Sequence, residues 1–383
     1  TLDDKTTTAV SVSSTTVTGG VSAIDTAYNS SGISGLGNEA ITVDSGTASV
    51  FEANTLDALT SGVVTATITN NDIATLDTLT GVGNAYTISV TDTTVSAEKL
   101  NALDLKTSVA VNVLSSSITG SVTDLASVYS TNGLTGLGNE ALTVDSGTVS
   151  VDDVNVGSGL TTGTLTATVT EGDMATLSGI EESGNALSVT VTDASVSAAD
   201  LTTLDSKTTV AVQVESSTLT GTNAEQIAAY AANKAGTITG LENIFDASNY
   251  LASHDDLLKA FGSDIVSAKD HFFTYGIGEE RTLDSFDEAS YLASYTDLLD
   301  AFVSDTSLAL SHYINHGYEE GRAVDSFDDL GYIESHSDLI DSFGSDLENI
   351  ATNSVNNYIS FGYSEGRTVN FDAESYLAAH SDL

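Results

Sequence analysis

Residues 35–50 read GLGNEAITVDSGTASV, and residues 136–151 read GLGNEALTVDSGTVSV, 101 positions later. A second motif keeps the same interval: TLDDKTT at Thr1 returns as ALDLKTS at Ala102 and TLDSKTT at Thr203. Self-similarity at a fixed period is the mark of a stacked architecture. The 101-residue unit divides further. Short alternating segments such as TISVTDTTV (Thr87–Val95) carry an apolar residue, four mostly polar residues and another apolar residue. The pairs are Val12/Val17, Val43/Ala48, Ile68/Ile73, Val90/Val95, Val113/Ile118, Val144/Val149, Val169/Met174, Val191/Val196 and Val214/Leu219. Successive pairs lie 31, 25, 22 and 23 residues apart, and the order then repeats.

Each segment reads as a short strand rich in Val, Ile and Thr, with alternate residues inward. Polar corners follow: DSGT at Asp44, TNND at Thr69, TDTT at Thr91 and LSSS at Leu114. Helical stretches come next, as in SAEKLNALD (Ser96–Asp104) and SAADLTTLD (Ser197–Asp205), with Ser96 and Ser197 as N-caps. One such turn of chain cannot bury both faces, but stacked turns can. The expectation for residues 1–244 is an α/β repeat solenoid. It has parallel strands with helical or irregular backs, four rungs per 101 residues, and resembles leucine-rich repeats. Nine strands at about 4.8 Å make a sheet roughly 40 Å long. A mixed antiparallel sandwich is the competing fold, disfavoured by the regular order of strand, corner and helix.

Composition sets outer limits. The 383 residues hold 54 acidic and 10 basic side chains, a formal net charge of −44, with no Cys, Pro or Trp. This excludes a disulfide framework and a cysteine nucleophile. It also argues against nucleic-acid binding, which needs basic patches. No apolar run reaches the roughly 18–20 residues of a membrane span. With 40% hydrophobic and 17% charged residues the chain is not a disordered acidic tail.

Aromatic residues divide the chain near Ile244. One Phe and four Tyr precede that point; ten of each follow it, with all six His and all three Arg. Here FDASNYLASHDDLLKAFGSD starts at Phe245, FDEASYLASYTDLLDAFVSD at Phe286 and FDDLGYIESHSDLIDSFGSD at Phe327, and a fourth copy opens at Phe371. Each continues into a second segment: HFFTYGIGEER, HYINHGYEEGR and NYISFGYSEGR. Apolar residues recur at helical spacing, so residues 245–383 read as an all-α repeat domain of about 41 residues per copy. Each copy has two or three short helices, the last ended by Gly276, Gly317 or Gly362. Both chain ends fall inside a copy, as in a piece of a longer protein.

Candidate sites are few. The polar corners carry Asp44, Asp72, Asp92, Asp145, Asp173 and Asp193. Carboxylates beside carbonyls and hydroxyls are the ligand set of Ca²⁺, which takes six to eight oxygens. The same residues serve as turn caps without metal. Asp256, Asp297, Asp338 and Asp382 recur before Leu, and Arg281, Arg322 and Arg367 close the copies; these read as helix N-caps and ion pairs between copies. His254, His336 and His380 share one position with Tyr295, and His271 and His312 share one with Asn357. Such substitution disfavours a metal ligand. No catalytic motif stands out from the repeat background, and the expectation is a protein that is not an enzyme.

The segments ITGLGNEALTVD, SVSAADLTTLDSKTTVAV and LASVYSTNGLTGLGN resemble tandem repeats in very large surface proteins of marine cyanobacteria. That class includes giant swimming-associated and S-layer-like proteins. The FDxxxYLAxxxDL…HYxxxGxxEGR unit looks like a short helical repeat of bacterial secreted, calcium-binding surface proteins. In that family proline commonly precedes the recurring Asp; here Asp255, Thr296, Ser337 and Ser381 stand there. The resemblance implies secretion by a type I-like route and folding outside the cell, with calcium as the cofactor. The functional expectation is an extracellular structural protein, part of a surface filament, S-layer or adhesin stalk, that self-associates by repeat stacking. The alternative is a glycan- or protein-binding adhesin module with the solenoid as spacer. A third reading, a polysaccharide depolymerase, would need a cleft with paired carboxylates.

Overall fold

The computed structural model describes residues 5–343 and 349–369 of the chain. The fourth helical copy, with His380, Ser381 and Asp382, lies outside the described residues. Two compact units are present. One comprises Thr1–Thr220 with Ala235–Gly240, the other Gly221–Lys234 with Leu241–Leu383.

The first unit alternates parallel strands with helices. Thr16–Gly19 pairs with Ala40–Ala48, which pairs with Val64–Ile68, which pairs with Ala85–Thr87. One period later Thr94–Ser96, Ser117–Gly120, Ala141–Val149, Leu165–Val169 and Ala186–Ser188 form the corresponding ladder. Further parallel ladders join Ser89–Val90, Val111–Val113 and Leu134–Thr135, and Thr190–Val191, Val212–Val214 and Ile238–Thr239. The antiparallel alternative therefore has no support among the described strands. Parallel neighbours need a crossover, and helices such as Val50–Asp57, Ala97–Asp104 and Val122–Ser130 supply it. Period-two alternation is plain in Val64–Ile68, whose residues are buried and exposed by turns. Of the eighteen residues in the nine apolar pairs, fourteen are buried; Val12, Val17, Met174 and Leu219 are half-buried.

The nine pairs are not equivalent, which corrects the register expected from spacing. Val90 and Val95 do face Val113 and Ile118, and Val191 and Val196 face Val214 and Leu219. But Val17 faces Ile41, not Ala48, and Ile118 faces Leu142, not Val149. The cause is a bulge. Ala40–Ala48 is one nine-residue strand in which Thr42 faces Thr65 and Thr47 faces Thr67, so Asp44–Gly46 loop out. Gly46 and Gly147, at φ 76° and 92°, allow that loop. DSGT is thus a bulge inside a strand rather than a corner between two. Ile73 and Met174 also differ from expectation, since they open helices.

Side chains bridge neighbouring strands where the backbone ladder pauses. Asn84 is 3% exposed; its Oδ1 accepts from the Val64 N–H at 2.8 Å and its Nδ2 donates to Asp57 at 2.8 Å. Asn185 accepts from the Leu165 N–H at 2.9 Å. The Thr107 hydroxyl accepts from the Tyr86 N–H and donates to the Tyr86 carbonyl. Helix starts are capped: Ser49 with Glu52 and Ser150 with Asp153 form capping boxes. Ser197 caps Asp200, whereas Ser96 occupies the N-cap position without a side-chain bond.

The second unit is helical. Each fully described copy has three short helices followed by a π-helical turn. In the first they are Ala247–Ala252, Asp255–Phe261, Ile265–His271 and Phe272–Gly276. Asp246, Asp264, Asp287, Asp305 and Asp328 cap helices through their carboxylates. Asp255, Thr296 and Ser337 are first helical residues, the place where proline is also accepted. Tyr250, Tyr291 and Tyr332 are fully buried at the centre of successive copies. Gly276, Gly317 and Gly362 let the π turns close on those rings, because a Cβ would come within 2.5, 2.1 and 2.0 Å of the three hydroxyls.

Two stability outcomes follow from this packing. Asn84→Ala leaves the buried Val64 N–H unpaired and should cost about 2 kcal/mol in chemical denaturation. Val303 is β-branched yet sits at φ 58°, where the preceding copy has Gly262 at φ 59°. Its side chain is largely exposed, so Val303→Gly should relieve strain and stabilise by about 1 kcal/mol in the same assay.

Candidate functional site

The six corner aspartates fall into three kinds of place. Asp44 and Asp145 are exposed on the bulges. Asp72 and Asp173 are helix N-caps, accepting from the Thr75 and Thr176 N–H groups at 2.8 and 2.9 Å. These bonds hold both carboxyls below the usual range; the Thr75 hydroxyl leads for Asp72 and the Thr176 N–H for Asp173. Asp92 and Asp193 come from the segment after the helix and accept from the Ile73 and Met174 N–H groups, each at 2.7 Å. Two carboxylates from different segments thus meet the orphan donors of one helix end. The six do not gather into one set. Among the described residues no group of three or more His, Asp or Glu side chains is placed to hold a metal ion.

The most buried carboxylates lie outside the corners, in the GLGNEA motif, whose recurrence was legible while its burial was not. Glu39 and Glu140 are each 2% exposed. Glu39 Oε2 accepts from the Tyr28 hydroxyl at 3.1 Å and from the Gly37 and Asn38 N–H groups at 2.7 and 3.1 Å. The Gly37 N–H foremost keeps Glu39 low, while burial and the carboxylate push Tyr28 up to about 12. Glu140 repeats the arrangement with Tyr129 and Gly138. A satisfied buried carboxylate pinning a loop is an architectural device.

In the helical unit the repeated polar residues resolve into contacts within a copy. Arg281 grips Asp256 through both terminal nitrogens at 2.9 and 2.8 Å and Glu279 through Nε at 2.6 Å. Arg322 does the same with Asp297 and Glu320, and Arg367 pairs with Asp338 and Glu365. The ion pairs therefore close each copy on itself instead of linking copies. The recurring Asp is in the first helical turn, and the N-cap is His254 or Tyr295. His254, Tyr295 and His336 play one part, in which each ring bonds a carbonyl in the loop that ends its copy, Thr282, Ala323 and Thr368 respectively. His271, His312 and Asn357 play another, pairing with the hydroxyls of Tyr250, Tyr291 and Tyr332 at 3.1, 2.9 and 2.7 Å. His316 is exposed at the end of a π turn.

One acidic group is under electrostatic stress. Partial desolvation raises the Asp284 and Glu288 carboxyls, and neighbouring charges raise them further, those of Asp246 and Asp287 on Asp284 and those of Asp284, Asp287 and Asp246 on Glu288. Asp329 is raised in the same way, with Asp325, Asp287 and Asp328 around it. Asn249 donates to Asp284 at 3.4 Å. Among the described residues no helix is long and apolar enough to cross a membrane.

A carboxyl whose pKa rises on folding favours the fold below its unfolded value and opposes it as pH climbs through the raised one. Asp284→Asn with Glu288→Gln should therefore raise the melting temperature at pH 7 in low salt. The gain should shrink below the ordinary carboxylate range and in about 1 M salt, where repulsion is screened. Calorimetry across pH and salt measures it. Comparison of the chain with protein-family models, with curated proteins and with solved structures returns no match.

Proposed function

We propose that this chain is a structural segment of an extracellular surface protein: a β/α solenoid stalk that carries helical repeats and assembles laterally or end to end. The observation that carries the reading is the additive ladder. Thr16–Gly19 meets Ala40–Ala48 in the register in which Ser117–Gly120 meets Ala141–Val149, with the same bulge placed 101 residues later. A unit that pairs with its successor as it pairs within itself adds length without a new kind of contact. That is the property of a spacer. The charge of −44 supports the same reading, because it keeps long parallel stalks soluble and mutually repelling, and divalent cations would moderate that repulsion.

The aromatic side chains favour a spacer over an aromatic binding face. In the helical unit Phe245, Phe272, Phe286, Tyr313, Phe327 and Tyr358 are buried, together with the three central tyrosines. Of the described Tyr and Phe rings there, Tyr275 and Phe361 are the two largely exposed ones.

Lengthening the chain tests the stalk. Inserting one further 101-residue unit adds four strand steps and should extend the maximum dimension in small-angle X-ray scattering by about 20 Å, with the cross-section unchanged. A particle that thickens without lengthening would sink the proposal.

A further inference from the structure

A cleft in the helical unit breaks the equivalence that governs the rest of it. Two cavities of about 300 and 260 Å³ share Ser263, Ile314 and Asn315 and so form one trough. Each is close to the lower end of the range for small-ligand sites. Ser248, Ser263, Ser307 and Ser311 line it beside the apolar Leu310 and Ile314, with the Ser307 hydroxyl donating to the Asp305 carboxylate at 2.6 Å. Lys259, Tyr318 and Glu319 stand at one end.

The corresponding junction one copy later is built differently. Asp300 takes the place of Lys259, Val303 that of Gly262, and Ser360 that of Asn315. There the Tyr363 hydroxyl is bonded to the Asp300 carboxylate at 2.6 Å as well as to the Thr296 carbonyl at 3.3 Å. In the cleft the matching Tyr318 hydroxyl donates to the Asp255 carbonyl at 3.1 Å, and Lys259 has no ion pair among the described residues. Gly262 leaves open space, since a Cβ there would meet nothing within 4 Å. Asn315 directs its Nδ2 to the Ser311 carbonyl at 2.8 Å. Its Oδ1 keeps its acceptor capacity among the described residues.

These groups specify a ligand class. One ammonium and one carboxylate balance in charge, and the chain around them is strongly acidic, so a polyanion is repelled and finds no second cation. Serine hydroxyls, an amide oxygen, an ammonium and a carboxylate match a dense array of ligand hydroxyls. A half-buried tyrosine ring and an apolar strip match the C–H face of a pyranose. We propose that this cleft binds a short segment of a neutral polysaccharide. The inference does not rest on the stalk reading, and either can fail alone.

The test is isothermal titration of the full chain with cellohexaose, maltohexaose and mannohexaose, with hexagalacturonate as the anionic comparison. Saturable binding of at least one neutral hexasaccharide is expected. Asn315→Ala and Lys259→Asp, both at exposed positions, should weaken it about tenfold or more while leaving the melting temperature in place. Asp300→Lys, at the second junction, should leave affinity unchanged. The proposal is overturned if no neutral hexasaccharide saturates, if the cleft variants bind as the parent does, or if hexagalacturonate alone binds.

Discussion

Parallel pairing of short strands is the constraint from which the first unit follows. A parallel neighbour cannot be reached through a tight turn, so the chain must leave the sheet, cross and return before each new strand begins. Every parallel step therefore needs a crossover, and every crossover helix creates an N-terminus with unpaired donors. The acidic and hydroxyl side chains of this sequence serve those ends. Asp72 and Asp92 illustrate this: one caps the helix Ile73–Leu76 from the residue before it, the other reaches the same helix from the segment that follows. The cap is at once a local helix start and a link between successive segments. Four of the six carboxylates that look like a ladder of candidate ligands, Asp72, Asp92, Asp173 and Asp193, thus complete the backbone hydrogen bonding, while Asp44 and Asp145 lie exposed on the bulges.

The parallel sense of pairing and the core were legible in the residues, because alternation of apolar and polar positions leaves little choice of buried face. Fourteen buried positions out of eighteen reflect that. The expected single nine-stranded sheet does not form, since the described strands divide into separate ladders of two to five. The register was less legible, and the reason is specific. Asp-Ser-Gly with a left-handed glycine suits both a corner between strands and a bulge within one. Deciding between them requires the partner strand, which for Thr42 is Thr65, 23 residues away. No local signal carries that. Bonds such as Asn84 to Val64 are hidden for the same cause, since donor and acceptor lie 20 residues apart.

In the helical unit the substitutions explain themselves only once the contacts are known. His and Tyr at positions 254 and 295 look unrelated as metal ligands, yet both are flat rings long enough to meet a loop carbonyl. His and Asn at 312 and 357 exchange because a tyrosine hydroxyl accepts either as a partner. The Arg–Asp clamps were visible as recurring charges. Their direction, within a copy, was not, because a spacing of 25 residues fits either geometry.

Repetition also sets where specificity can arise. A chain that reuses one packing solution makes equivalent surfaces, and equivalent surfaces cannot single out one ligand site. Discrimination has to come from positions at which copies diverge without disturbing the shared core. Buried Tyr250, Tyr291 and Tyr332 do not diverge, since each supports a π turn whose glycine touches its hydroxyl. Exposed positions next to that core are free to change, and Lys259 against Asp300 reverses the charge at one of them. A single lysine matters more on this background than on a balanced surface, because few cations compete with it. The acidic excess and the repeats therefore act together: one keeps most of the surface indifferent, and the other makes a local exception chemically distinct.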